Sequence, residues 1–212
     1  MAHDPGHDLA ALLAEIRGCR RCLEQPVGRP LPHEPRPVVR ASSSAQVAVF
    51  GQAPGTRVHA SGTPFFDPSG DRLREWMAVS ADEFYDDTRV AIVPMGFCFP
   101  GLDAHGSDLP PRRECAPAWR ARLMAALPRL EVVLLVGLYA QRWHLSVGGK
   151  AHRGSVTATV AGWRDVLARS GPCRMYVLPH PSWRNNHWIK CNPWFTDELL
   201  PVLRADVRRV LD

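Results

Sequence analysis

Residues 46–70 read QVAVFGQAPGTRVHASGTPFFDPSG: an apolar run that stops abruptly in a loop carrying three prolines and four glycines. The run is continuous rather than alternating, as expected of a strand buried on both faces of a parallel sheet. Three further runs share that character: 89–95 (RVAIVPM), 131–137 (EVVLLVG) and 174–179 (RMYVLP). Helical spacing fills the intervals. Asp67-Pro68-Ser69 forms an N-terminal cap ahead of Leu73, Trp76 and Met77, and 117–130 opens on a proline suited to a first helical position. Residues 138–145, 160–168 and 194–211 continue the pattern. Strands alternating with helices predict an α/β fold, a three-layer α/β/α domain on a central, mainly parallel four-stranded sheet. The domain occupies 45–212. Ahead of it, 1–44 reads as an arm: a helix over Leu9 to Ile16, a C-x-x-C at Cys19 and Cys22, and a proline-rich connector. Ligands of such sheets bind beyond the carboxyl ends of the strands. There GQAPG (51–55), the loop after Met95 and LPHPS (178–182) would meet.

The glycine–proline loop is no nucleotide loop, since neither G-x-G-x-x-G nor G-x-x-x-x-G-K-[ST] occurs. At 212 residues, 45% apolar and 22% charged, the chain is an ordinary globular protein with a sizeable core. Its balance is basic (26 Lys+Arg against 21 Asp+Glu), with lysine only at 150 and 190. Arginine suits bidentate phosphate contact, and a mildly basic soluble protein has the same charge. No stretch reaches the length of a membrane span and the first ten residues lack a signal peptide's apolar segment, so the expectation is a cytoplasmic monomer without membrane contact. Six cysteines in that compartment call for metal, catalysis or burial rather than disulfides.

GQAPG after the first strand and His180-Pro181-Ser182 after the last, with Gly62-Thr63-Pro64-Phe65 between them, resemble the paired motifs of the uracil-DNA glycosylase superfamily. The resemblance covers most of the chain from Leu12 onward. It is strongest to the iron–sulfur (family 4 type) branch, which has a GEAPG-like first motif, a G-x-P-F segment, an N-terminal C-x-x-C, two later cysteines and a final H-P-S. It implies a DNA-repair enzyme that hydrolyses the N-glycosidic bond of uracil in single- or double-stranded DNA. No lysine stands near either motif, so the implied mechanism is monofunctional and leaves an abasic site. A DNA-binding protein that captures uracil or abasic sites without turnover, or a glycosylase for another deaminated base, are the alternatives.

That chemistry assigns roles residue by residue. Gly51, Ala53, Pro54 and Gly55 bring backbone close to an extruded base. Phe65 stacks on it, and His180 hydrogen-bonds its developing oxyanion. Alone, Phe65 reads as core and His180 as a loop or satisfied core histidine. Gln52 occupies the place of the family's glutamate, so it can position water but not take its proton. Asp67 is the nearest candidate carboxylate if it does not merely cap its helix; Asp71 suits a first helical turn. Pro94 stands where the family supplies an asparagine for the uracil edge, leaving backbone near Met95 and Gly96, or an amide from elsewhere, as substitutes. Ser182, Trp183, Arg184, Asn185 and His187, with Arg57, are candidates for phosphate or for filling the vacated stack; Trp183 and Trp188 could instead pack on the last helix. Cys19, Cys22, Cys98 and Cys115 follow the family's order for a [4Fe–4S] cluster, with structural zinc or unligated thiols as alternatives. Cys173 reads as core and Cys191 as incidental.

Overall fold

The computed structural model describes residues 5–146 and 150–212, so the first four residues of the expected arm lie outside it. In chain order the elements are α1 (Pro5–Arg17), α2 (Arg21–Glu24), β1 (Val47–Phe50), α3 (Thr56–Ser61), α4 (Pro68–Met77), α5 (Ala81–Tyr85) and β2 (Val90–Ile92). There follow α6 (Cys115–Ala125), β3 (Val132–Val136), α7 (Leu138–His144), α8 (Val156–Ala161), α9 (Trp163–Arg169), β4 (Arg174–Leu178), α10 (Asn186–Cys191) and α11 (Leu200–Leu211). The four strands form one parallel sheet in the order β2-β1-β3-β4, with Val47 opposite Val90 and Val132, and Val136 opposite Leu178. Every residue of β1, β2 and β3 is buried, as their uninterrupted apolar runs require.

The structure adjusts the predicted elements where prolines and glycines act. β2 is short because Pro94 has no N–H to give the ladder. Beyond it, Met95 and Gly96 donate instead to the carbonyls of Gly51 and Gln52, both at 2.9 Å. α6 starts two residues before Pro117, which stays within the first turn where helical N–H groups are unpaired anyway. The single helix expected over 160–168 is two helices meeting at Gly162, the first capped by Ser155. The closing helix opens with a π turn over Phe195–Leu199; Pro201 cannot make the next regular bond, which accounts for the irregular start.

The arm is anchored to this body. Leu9, Leu12, Leu13 and Ile16 of α1 are buried in the main core. Arg40 and Ile92 exchange backbone hydrogen bonds as an antiparallel bridge, which covers the free edge of β2. At the opposite end of the sheet order, the buried amide of Gln141 donates to the carbonyls of Leu178 (2.9 Å) and Leu135 (3.3 Å). This fixes the carboxyl ends of β3 and β4, and so the start of the HPS loop.

Candidate active site

The loop after β1, the segment before α4 and the loop after β4 enclose a cavity of about 100 Å³. Its wall contains Gly51, Gln52, Ala53, Pro54, Gly55, Phe65, Asp67 and His180 from the sequence-predicted set, together with Pro94, Ser69 and Asp108. The volume lies well below the roughly 300–1,000 Å³ of clefts for drug-sized ligands, and suits a single flat ring.

Phe65 is placed at a conformational cost. Its φ of 54° lies in the left-handed region, unusual for an aromatic residue and typically worth about 1–3 kcal/mol of strain. Three contacts hold it. The Tyr85 hydroxyl lies 3.1 Å from the Pro64 carbonyl and 3.2 Å from that of Phe65. The ring meets Phe84 edge-on at 6.0 Å. Gly70, in the first turn of α4, lets that helix abut the Phe65 carbonyl: a Cβ there would stand 1.8 Å from the oxygen. Gly51 gives way in the same manner, since its Cβ would fall 3.3 Å from the tip of the Phe65 ring. The ring therefore forms one wall of the cavity and the first loop the adjoining wall.

His180 follows β4 and is partly buried. Its Nδ1 accepts the Ser182 backbone N–H at 3.2 Å, which assigns the proton of the neutral ring to Nε2. Burial lowers its pKa below the ordinary histidine value; Asp67 opposes that shift and Arg184 reinforces it. A neutral Nε2–H donor is thus favoured at neutral pH. Asn185 donates to the His180 carbonyl at 2.6 Å and Arg72 to that of Ser182 at 3.1 Å, so both brace the loop. Asp67 caps α4, its Oδ1 accepting the Gly70 N–H at 2.9 Å, and also lines the cavity.

Other predicted residues fall elsewhere. The Met95 and Gly96 N–H groups are committed to Gly51 and Gln52, so they brace the first loop and cannot donate to a base; the expectation that their amides replace the missing asparagine is corrected. Met95 instead lines a larger cavity of about 1020 Å³ beside Arg112, Tyr139, Arg142 and Trp143, whose wall, among the described residues, holds no histidine or carboxylate. Of the paired tryptophans, Trp188 packs against Trp194 and Phe195, whereas Trp183 is 73% exposed beneath its own neighbour's guanidinium, that of Arg184. Arg57 and His187 are also exposed, and His187 Nε2 sits 3.5 Å from the Cys191 thiol. Phe66, 63% exposed beside Phe65, is a surface aromatic outside the sequence-predicted set.

Cys22, Cys98 and Cys115 are buried, and Cys19 partly so. Cys22 and Cys98 share a small cluster with Leu31. Desolvation pushes the Cys22 thiol up to about 11 and those of Cys98 and Cys115 to about 12. Each of the three also feels charge on its neighbours, which brings all four cysteines into one electrostatic neighbourhood. Among the described residues, no three His, Cys, Asp or Glu side chains are gathered closely enough to hold a single metal ion. Cys173 is partly buried against the core, less than expected, and Cys191 is exposed. No described helix is long and apolar enough to cross a membrane.

The family model described as the uracil DNA glycosylase superfamily matches residues 39–204. The matched span takes in all four strands, both cavity loops, Cys98 and Cys115, and leaves Cys19 and Cys22 outside.

Proposed function

The chain belongs to the uracil DNA glycosylase superfamily, and from that premise we propose that it hydrolyses the N-glycosidic bond of uracil in DNA, leaving an abasic site. The observation that carries the proposal is His180: its Nδ1 is occupied by Ser182, its Nε2–H has no partner among the described residues, and its ring lines a ring-sized cavity together with Phe65 and the first loop. An extruded base stacks on Phe65 and places a carbonyl oxygen against Nε2–H. As the glycosidic bond lengthens, negative charge gathers on the base and that hydrogen bond strengthens. The interaction favours the transition state over the ground state, as oxyanion stabilisation must. Gln52 offers both an amide donor and an acceptor, so it can meet the base edge that Pro94 cannot read. Exposed Trp183, Phe66, Arg184 and Arg57 supply aromatic and cationic contacts to the surrounding strand.

The same reading extends to a [4Fe–4S] cluster on Cys19, Cys22, Cys98 and Cys115. The donor chemistry suits it: four thiols share one electrostatic neighbourhood, and a cuboidal cluster spaces its thiolates more widely than one tetrahedral ion does. Two cations border them, Arg112 beside Cys22 and the buried Arg120 beside Cys115, and both would offset the charge of four thiolates. Backbone N–H groups of Phe97 and Arg36 reach the sulfurs of Cys115 and Cys98. When bound, the group would supply a structural crosslink between arm and domain; the hydrolysis has no need of its redox chemistry.

The test is incubation with an end-labelled oligonucleotide carrying one uracil, followed by alkali cleavage and, in parallel, a denaturing protein gel. Several equivalents of cleaved product per enzyme support the proposal. A protein band shifted by covalent DNA, with no turnover, contradicts it and indicates capture.

A further inference from the structure

The segment between Cys98 and Cys115 makes a small hairpin-like excursion. The Leu109 N–H donates to the Gly101 carbonyl at 2.9 Å, and Leu102 and Asp108 form an antiparallel bridge. Asp103 secures the tip by accepting the backbone N–H groups of His105 (2.8 Å) and Ser107 (2.9 Å). Asp108 is therefore fixed at the stem, and its side chain lines the cavity against the first loop. Its Oδ2 lies 3.1 Å from where a Cβ on Gly55 would stand. The residue stays open to solvent at the cavity mouth. Two charged groups face it, Asp67 and Arg184, and both also act on His180.

We propose that Asp108 is a catalytic residue of this site, the carboxylate that takes a proton from the attacking water. The inference rests on the glycosylase reading above and assigns a role that the first loop leaves unfilled. Gln52 and Ala53 carry no carboxylate there, and Asp67 has one oxygen committed to the Gly70 N–H. In the reaction, the bond between C1′ and the base nitrogen breaks and its electron pair leaves with the base, met by His180 Nε2–H. The water oxygen forms the new bond to C1′. One water proton passes to the Asp108 carboxylate, which returns it to solvent, and solvent protonates the released base. Partial desolvation, with Asp67 adding to it and Arg184 opposing, holds the Asp108 carboxyl above its usual range, the direction that makes a carboxylate a better base.

The competing reading makes Asp108 an exposed acid that merely repels DNA phosphate. Asp108→Asn and Asp108→Ala separate the two. Single-turnover excision from a uracil oligonucleotide is measured across pH with enzyme in excess, and affinity with the same oligonucleotide carrying an uncleavable 2′-fluorodeoxyuridine. The expected result is a rate loss of about 10²–10⁴-fold with affinity unchanged. The wild-type rate should fall as pH drops through the Asp108 pKa, and that limb should disappear in Asp108→Asn, where Asp67, Arg184 and His180 are all retained. Excision by Asp108→Asn within threefold of wild type, or tighter DNA binding with no rate change, overturns the assignment while leaving the glycosylase reading intact. Failure of the wild type to release base from uracil DNA overturns both.

Discussion

Replacing Gly70 with alanine probes how the fold pays for the position of Phe65. The new Cβ would stand 1.8 Å from the Phe65 carbonyl oxygen, where real Cβ contacts do not fall below 3.0 Å. Backbone must move by more than an ångström, either in the first turn of α4 or in the Phe65 peptide. Overpacking of this kind costs roughly 1–3 kcal/mol, and loss of the Tyr85 hydroxyl contact adds about 1 kcal/mol. Alanine's better helix propensity returns up to about 1 kcal/mol. The net of roughly 1–3 kcal/mol corresponds to a fall in Tm of about 2–4 °C per kcal/mol for a chain of this size. The displaced ring would also lose base stacking worth about 1–3 kcal/mol, a loss of roughly 5- to 150-fold in kcat/KM. Thermal unfolding and excision kinetics measure both. A Gly70→Ala protein with unchanged Tm and activity would refute the claim that this glycine exists to seat Phe65.

Asp67→Ala should lower stability by about 1 kcal/mol through loss of the α4 cap, whereas Asp67→Asn should keep it; urea midpoints decide. Cys98→Ser should abolish the iron content and visible absorbance of protein purified without oxygen, and equal iron in both proteins would remove Cys98 as a ligand. Arg120, whose guanidinium donates to the carbonyls of Val93 and Pro94, leaves them unpaired as Arg120→Met, at a cost of roughly 1–3 kcal/mol in chemical denaturation. His144, stacked on Phe50 at 4.8 Å, has its pKa pushed down to about 3 by burial, with Arg120 adding. The unfolded chain binds that proton first, so stability should decline as pH falls below about 6.5 and level off near the folded value. His144→Phe should reduce that decline, to which His180 and His59, both also lowered by burial, contribute in the same direction.

The sheet was legible because its four apolar runs are each long, continuous and bounded by turn residues, a pattern that admits few other arrangements. The cavity was legible for a different reason: GQAPG and HPS end neighbouring strands, so parallel topology alone brings them to one edge. What the sequence did not disclose depends on long-range contact. Asp108 sits in a polar stretch between two cysteines, and only the Leu102–Asp108 bridge turns it toward Gly55. The commitment of the Met95 and Gly96 amides follows from Pro94 shortening β2, a register effect that residue identity does not reveal. Trp183 and Trp188 look alike in sequence and part company only when α10 docks one against Trp194 and Phe195.

The most direct test of the central claim is release of free uracil from a single-uracil oligonucleotide, quantified by chromatography for the wild type and for His180→Ala, each checked for an unchanged unfolding midpoint. The account predicts multiple turnovers by the wild type and a loss of about 10²–10³-fold in the variant, the scale of removing one oxyanion donor. A folded His180→Ala protein that releases uracil at the wild-type rate would contradict it.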